Sequence, residues 1–222
     1  MTRNSASSMQ WRVDLHVHTR RYSPCAELLD PEQLPAVMAE RGLHGVVITE
    51  HDHLWSSEEI AELNQGLNGS RIFRGVEISS RNGHFLVIGM DAIGDLKPGV
   101  SAERILRAAR DQNAAVIWAH PQLEYRQIVQ PLESNKFPDG LHAVEVVSTA
   151  TYGEQTEAAK AYARDLKCGM VGGSDAHVLD HVGKAFTAFN HLPRDEKELA
   201  AALCSGCYQA GHNGLPGDRM KR

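Results

Sequence analysis

Apolar residues recur along this chain in two periods, and the two kinds of run alternate from about residue 11 to about residue 210. In 11–18, Val13, Leu15 and Val17 alternate with Asp14, His16 and His18, which predicts a strand with one polar face. Asp30 before Pro31 is a helix-start signal, and Leu34, Val37 and Met38 follow at helical spacing until Gly42. A strand is predicted at 45–49. Ser56 with Glu59 forms a capping box for a helix carrying Ile60, Leu63 and Leu67, ended by Asn68 and Gly69. Strands follow at 71–78 and 85–89. Ser101 opens a helix with Ile105, Leu106 and Ala109 on one side, and 114–119 reads as a buried strand. After a proline-containing connection come a strand at 141–147, a helix at 154–166, a short strand at 170–173, a helix at 195–203 and a strand at 208–210.

Strands alternating with helices, with no linker-like break, predict one α/β domain with a largely parallel sheet. Six or seven such units favour a TIM-barrel-like closure over an open sheet, and no dinucleotide fingerprint argues for the latter. The expected organisation is a loose arm at 1–10, a barrel domain at 11–210 and a loose tail at 211–222.

The 222 residues are 42% hydrophobic and 23% charged, which excludes a disordered chain. The longest apolar stretches fall far short of the roughly 20 residues of a membrane span. The Ser-rich start lacks the apolar centre of a secretory signal, so a reducing cytoplasm is the expected location, and the four cysteines imply no disulfide framework. A net charge of −5 argues against a broad basic surface for duplex nucleic acid. Twelve histidines are the anomaly, because imidazole is the commonest metal ligand.

Placed on the predicted elements, those histidines are not scattered. His16 and His18 end the first strand, His51 follows the second, Glu77 ends the third, His84 lies beside the fourth, His120 closes the fifth, and Asp175 and His177 follow the last long one. In a parallel barrel all strand ends open on one face, where active sites are built. Residues two apart on a strand share a side, so His16 and His18 can aim at one point, and Asp175 and His177 can if that segment is extended. Six imidazoles and two carboxylates exceed one four-coordinate zinc ion and suit two or three divalent metals, with zinc, manganese and iron all compatible. Glu77 and Asp175 are the candidates for bridging.

Other features keep an ordinary reading. His44, His142, His181, His191 and His212 lack that placement, and His53 is undecided. Cys204 and Cys207 read as packing around a helix stop at Gly206. Gly172 and Gly173 match no phosphate-loop spacing and let backbone approach the metals closely. Arg20 and Arg21, in the loop after the first strand, are either phosphate clamps or solvated loop charges.

The ordered segments Asp14-Leu-His-Val-His-Thr19, Thr49-Glu-His-Asp52, Gly75-Val-Glu-Ile78, the His84 strand, Ala119-His-Pro121 and Gly173-Ser-Asp-Ala-His177 resemble the successive motifs of the PHP (polymerase and histidinol phosphatase) family. One such motif is weak; five in order are specific. The resemblance implies a distorted seven-stranded (β/α) barrel with phosphoester hydrolysis as its commonest activity. It places one metal on His16, His18, Glu77 and Asp175, a second on Glu77, His84 and His120, and a third on His51 and His177. Family members often add an Asp or His to the third after the first motif. Here Ser23, Pro24 and Cys25 stand there, so that position recruits Cys25 or solvent, or is not formed. Glu50 replaces the more usual Asp of the second motif, a change expected to be tolerated.

The expected activity is metal-dependent hydrolysis of a small phosphorylated metabolite, nucleotide or short oligonucleotide. Water bridging two divalent cations loses a proton near neutral pH and becomes the nucleophile, with Asp175 the candidate proton acceptor. The competing readings are a metal-dependent C–N hydrolase and a non-catalytic, metal-binding regulatory domain. No feature points to a membrane partner or to a particular oligomer.

Overall fold

The computed structural model describes residues 10–121, 139–151 and 153–214; the arm before residue 10, the connection after Pro121 and the tail beyond residue 214 lie outside them. One sheet holds β1 (Trp11–Val17), β2 (Gly45–His51), β3 (Arg71–Ser80), β4 (Gly83–Ile88), β5 (Ala115–Trp118), β6 (Ala143–Val147), β7 (Gly169–Gly172), β8 (Ala185–Phe189) and β9 (Tyr208–His212). Its order is β7-β6-β5-β4-β3-β2-β1-β8-β9. The ends curl together. Thr187 on β8 accepts from the Gly172 amide of β7 at 3.0 Å and donates to its carbonyl at 2.9 Å. A Cβ at Gly172 would stand 2.5 Å from the Phe186 carbonyl oxygen, so the nearly closed barrel depends on a bare backbone there.

The barrel-like α/β architecture matches the expectation, but the described residues supply nine strands rather than seven. Half of the pairings are antiparallel: β3 with β4, β4 with β5, β1 with β8 and β8 with β9. The connection between β3 and β4 is two residues, Arg81 and Asn82, too short for the crossover that parallel strands require. β8 escaped the sequence reading because Ala185-Phe-Thr-Ala-Phe189 is largely apolar on both faces and shows no alternation. β9 runs through His212, paired with Ala185, so the ordered chain extends past the expected boundary at 210.

Five helices are described: α1 (Leu34–Arg41), α2 (Ser57–Leu63), α3 (Ala102–Asp111), α4 (Glu154–Leu166) and α5 (Glu196–Ser205). α2 carries the expected Ser56/Glu59 capping box but stops at Asn64, whose side chain bonds both Ile60 and Ile72. α1 and α2 cover Val46, Ile48 and Ile72, α3 covers Val76, Val87 and Val116, and α4 covers Val144 and Val146. Leu199, Ala200 and Leu203 of α5 pack instead with the residues inside the barrel. Cys204 and Cys207 are exposed free thiols, so core packing at this helix end falls to Leu203. Among the described residues no helix is long and apolar enough to cross a membrane.

The inward side of the strands explains where the chemistry lies. Val13, Leu15, Val47, Phe73, Leu86, Ile88, Ala115, Ile117, Ala143 and Val171 form the interior cluster. Continuing each strand two residues at a time reaches His51 from Val47, Glu77 from Phe73 and Glu145 from Ala143, while β4, running the other way, brings in His84. β1 departs from simple alternation. Its register with β2 slips between Asp14 and Val17, and Val17 joins the outer cluster under α1 and α2. This bulge turns His16 and His18 inward above Leu15, where unbroken alternation would have placed them on the opposite face.

Candidate metal centre

Six imidazoles and two carboxylates meet at the interior end of the barrel. Nε2 of His16 and Nε2 of His18 are 3.0 Å apart. Both face Glu77 Oε2, at 3.5 and 3.2 Å, and Asp175 Oδ1, at 3.4 Å each. His51 Nδ1 lies 2.9 Å from the same Glu77 Oε2. The other oxygen of Glu77, Oε1, faces His84 Nδ1 at 3.0 Å and His120 Nε2 at 3.1 Å. His177 packs on the far side of His18, with ring centroids 4.4 Å apart, and His51 stacks on the same ring at 4.3 Å.

Among the described residues, three groups of donor atoms are close enough to share a cation: His16, His18 and Asp175; His16, Glu77 and His120; and His18, His51 and His177. Neutral imidazole nitrogens and carboxylate oxygens are suitable ligands for zinc, manganese or iron. Glu77 Oε2 is buried without a hydrogen-bond donor other than these rings, so the donor set fits divalent cations. Cys25 belongs to none of the three groups and is exposed on a short 3-10 turn, Pro24–Ala26. Ser23, two residues before it, accepts from the His51 amide at 3.3 Å and stands 3.4 Å from His18 Nδ1.

The charges here sustain one another. Burial opposes a proton on His16, but Glu145, Asp175 and Glu77 together hold its pKa well above the ordinary value. His120 is likewise disfavoured by burial and yet raised to about 9, chiefly by Glu77. Burial pushes the carboxyl of Glu77 upward, and His16, His120 and His18 override it to hold the group well below the usual range. Asp175 is depressed for the same reason, mainly by His16 and His18 against its own burial. His177 moves the other way, lowered by burial and by the neighbouring His18.

Several supports were not singled out from sequence. Asp14 is fully buried and accepts from the amides of Ser174 at 2.8 Å, Gly183 at 2.7 Å and His16 at 3.3 Å, tying β1 to the segment that carries Asp175. Burial raises its carboxyl to about 6 against the pull of those bonds. Asp175 itself has φ of 53°, so the segment is not the plain extended one that would aim Asp175 and His177 alike. Asp52, also left-handed at φ 51°, accepts from Ser79 at 2.9 Å and fixes the turn after His51. Glu50 points away from the cluster, to the amide of Thr19 at 3.1 Å and the indole of Trp55 at 3.0 Å. Glu145 accepts from His16 and His120; a lone acidic residue inside Ala143-Val-Glu-Val-Val147 was the available signal.

Arg20 and Arg21 do not join the cluster: the first pairs with Asp30 and the second lies 3.6 Å from Glu59. His44 and His142 accept backbone amides, from Arg12 at 3.2 Å and Val116 at 3.0 Å, and His53 stacks on Tyr22. Gly173 lets the backbone pass close to the cluster's own side chains, since a Cβ there would stand 2.7 Å from His16 Cβ.

The family described as PHP-associated matches residues 153–207, the stretch that contains Asp175 and His177. The motif order, this match and the barrel agree. Over residues 153–207 the chain is similar to that family. An uncharacterized protein of Methanocaldococcus jannaschii is 28% identical over 186 residues, covering 82% of this chain and 71% of that protein. Among solved structures, a two-domain protein of Bacteroides vulgatus containing a PHP-like metal-dependent phosphoesterase superposes with a TM-score of 0.67 at 20% identity. That match covers 91% of this chain and 65% of the other. The lesion-specific endonuclease EndoQ of Pyrococcus furiosus superposes with a TM-score of 0.62 at 18% identity, over 90% of this chain and 57% of its own. The chain therefore spans less than two thirds of either structure, and at these identities the likeness is one of fold.

Proposed function

We propose that this PHP-like chain is a divalent-metal-dependent phosphoesterase acting on a small phosphorylated metabolite, nucleotide or short oligonucleotide. The observation that carries the proposal is the division of Glu77. Its Oε2 faces His16, His18 and His51, and its Oε1 faces His84 and His120, the arrangement of a carboxylate shared between two cations. In this reading His16, His18, Glu77 and Asp175 hold one ion, Glu77, His84 and His120 a second, and His51 and His177 a third when it is present. Bound divalent cations would supply acidified water and polarised phosphoryl oxygens.

The chain's own residues would do the rest. The His16 and His18 rings are fully buried and Glu77 nearly so, whereas the Asp175 side chain keeps 15% of its surface exposed. Asp175 is therefore the carboxylate placed to take a proton from an attacking water while still touching the His pair. Arg20 and Arg21 would have to leave Asp30 and Glu59 to clamp a phosphate. Resemblance in fold to an endonuclease keeps short oligonucleotides on the substrate list beside nucleotides.

The test is metal analysis of protein purified without added metal or chelator, paired with a phosphate-release screen under Mn²⁺ and Zn²⁺ across nucleotides, sugar phosphates, amino-alcohol phosphates and short oligonucleotides. Two or more ions per chain with turnover of a phosphoester is the expected result. Bound ions with release of an amine or carboxylate product instead of phosphate would move the assignment to C–N hydrolysis. Less than one ion per chain, unrecoverable on reconstitution, would overturn the reading.

A further inference from the structure

Glu145 is fully inside the barrel and belongs to none of the three donor groups, yet it touches two members of them. Its Oε1 is 3.1 Å from His16 Nδ1. A carboxylate oxygen accepts, so Nδ1 of His16 is the donor of this bond, and Nε2 is the ring nitrogen that faces His18 Nε2, Glu77 Oε2 and Asp175 Oδ1 and would offer its lone pair to a bound cation. Its other oxygen, Oε2, accepts from the backbone amide of His120 at 3.1 Å. That residue sits at φ of 25°, a left-handed backbone that a non-glycine residue adopts only when its surroundings hold it there. From this conformation His120 Nε2 reaches Glu77 Oε1 at 3.1 Å.

We infer that Glu145 is the positioning residue of the metal centre. One carboxylate, itself outside the ligand set, selects the His16 tautomer and holds the His120 turn, and so fixes the distance between the two ligand groups that Glu77 joins. The inference rests on the metal-centre reading and extends it to a residue that the ligand pattern does not contain. Space at the site has been cleared for it: a Cβ at Gly173 would stand 2.6 Å from Glu145 Oε1 as well as 2.7 Å from His16 Cβ. A role in stability alone is a weaker account, because a buried ion pair gains little over apolar packing of equal volume. Hydrogen-bonded carboxylates behind ligating imidazoles commonly govern both tautomer and affinity.

Glutamine is the discriminating replacement. Its single carbonyl oxygen can accept from His16 or from the His120 amide, and its NH2 must then face the other donor. Full-length protein, stripped of metal, is titrated with Zn²⁺ and with Co²⁺ against a chromophoric chelator, for the wild type, Glu145→Gln and Gly173→Ala. The expected result is affinity about 10- to 100-fold weaker in Glu145→Gln, with an altered Co²⁺ visible spectrum. Gly173→Ala, which crowds both Glu145 and His16 without changing charge, shifts both in the same direction. Wild-type affinity within about twofold and an unchanged Co²⁺ spectrum in Glu145→Gln would overturn the inference while leaving the metal centre standing.

Should neither variant fold, the wild type suffices. Long-range ¹H–¹⁵N spectra of the Zn²⁺-loaded, ¹⁵N-labelled protein are expected to place a hydrogen-bonded proton on His16 Nδ1 and the metal on Nε2. Zinc on Nδ1 instead would overturn the positioning role. A wild type that binds neither Zn²⁺ nor Co²⁺ would remove the metal-centre reading itself and this inference with it.

Discussion

At one end of the barrel interior stand Val47, Phe73, Leu86, Ile117, Ala143 and Val171, and at the other, on the same inward columns, His51, Glu77, His84 and Glu145. The first layer is stable as built: its atoms lose water and gain close-packed neighbours, with no polar group left over. The second opens toward solvent at His51 and His84 but buries Glu77 and Glu145 completely, and ionisable groups at such depth cost several kcal/mol each unless paired. Pairing offsets that cost where it is greatest: the imidazoles of His16 and His120 are raised and the carboxylates of Glu77 and Asp175 depressed by one another. The contrast teaches that one strand geometry serves both layers. Residue type two positions along decides whether a column ends in packing or in a ligand.

If that division is real, mutations in the two layers must fail differently. Glu77→Gln removes the carboxylate on which both halves of the cluster converge. Metal affinity should fall by more than the roughly 10- to 100-fold typical of an outer change, and hydrolysis should fall with it, as read by chelator competition and phosphate release. Phe73→Ala, four residues before it on the same strand, should cost about 3–5 kcal/mol in denaturant unfolding while the folded fraction keeps its full metal content. Equal loss of metal in both variants would erase the distinction between layers.

Asp14 offers a finer separation, because it is buried like a ligand but bonds only backbone amides. Its folded pKa of about 6 lies above the ordinary 3.8, so between those values the native state keeps a proton that the unfolded chain releases. Its contribution is therefore fully present below about pH 4 and lost as pH rises through about 6, a difference of about 3 kcal/mol at roughly 1.4 kcal/mol per pH unit. In metal-free protein, the difference in unfolding free energy between wild type and Asp14→Asn should change by that amount between pH 4 and 7. The paired histidines and carboxylates, common to both proteins, cancel in it. A flat difference would mean that Asp14 stays ionised and its amide bonds outweigh burial. Smallest of all, Arg20→Ala should shift stability by less than about 1 kcal/mol, since Arg20 is exposed and its pair with the half-buried Asp30 is open to solvent. A large rise in KM for a phosphoester with stability unchanged would restore Arg20 to the substrate site.

Most of the imidazole and carboxylate cluster was legible because strand periodicity and residue chemistry are both local. His16, His18, His51, Glu77, His84, His120, Asp175 and His177 all arrive at one place in the fold. What escaped was set by contacts between distant segments. The antiparallel courses of β4 and β8, the bulge that turns His16 and His18 inward, and the supporting roles of Asp14 and Glu145 each depend on a partner far away in the chain. Even the agreement on His84 conceals a difference: it sits at the start of an antiparallel strand, and that reversal is what delivers it to the ligand face.

By itself, the sequence determined which imidazoles and carboxylates lie at ends of strands, since alternation, caps and residue type act within a few positions. Only the tertiary structure decided that Glu77 divides its two oxygens between two sets of imidazoles, and that Glu145 stands behind His16 and His120. Distances of about 3 Å between side chains more than a hundred residues apart are set by barrel closure and strand register, which no local pattern encodes.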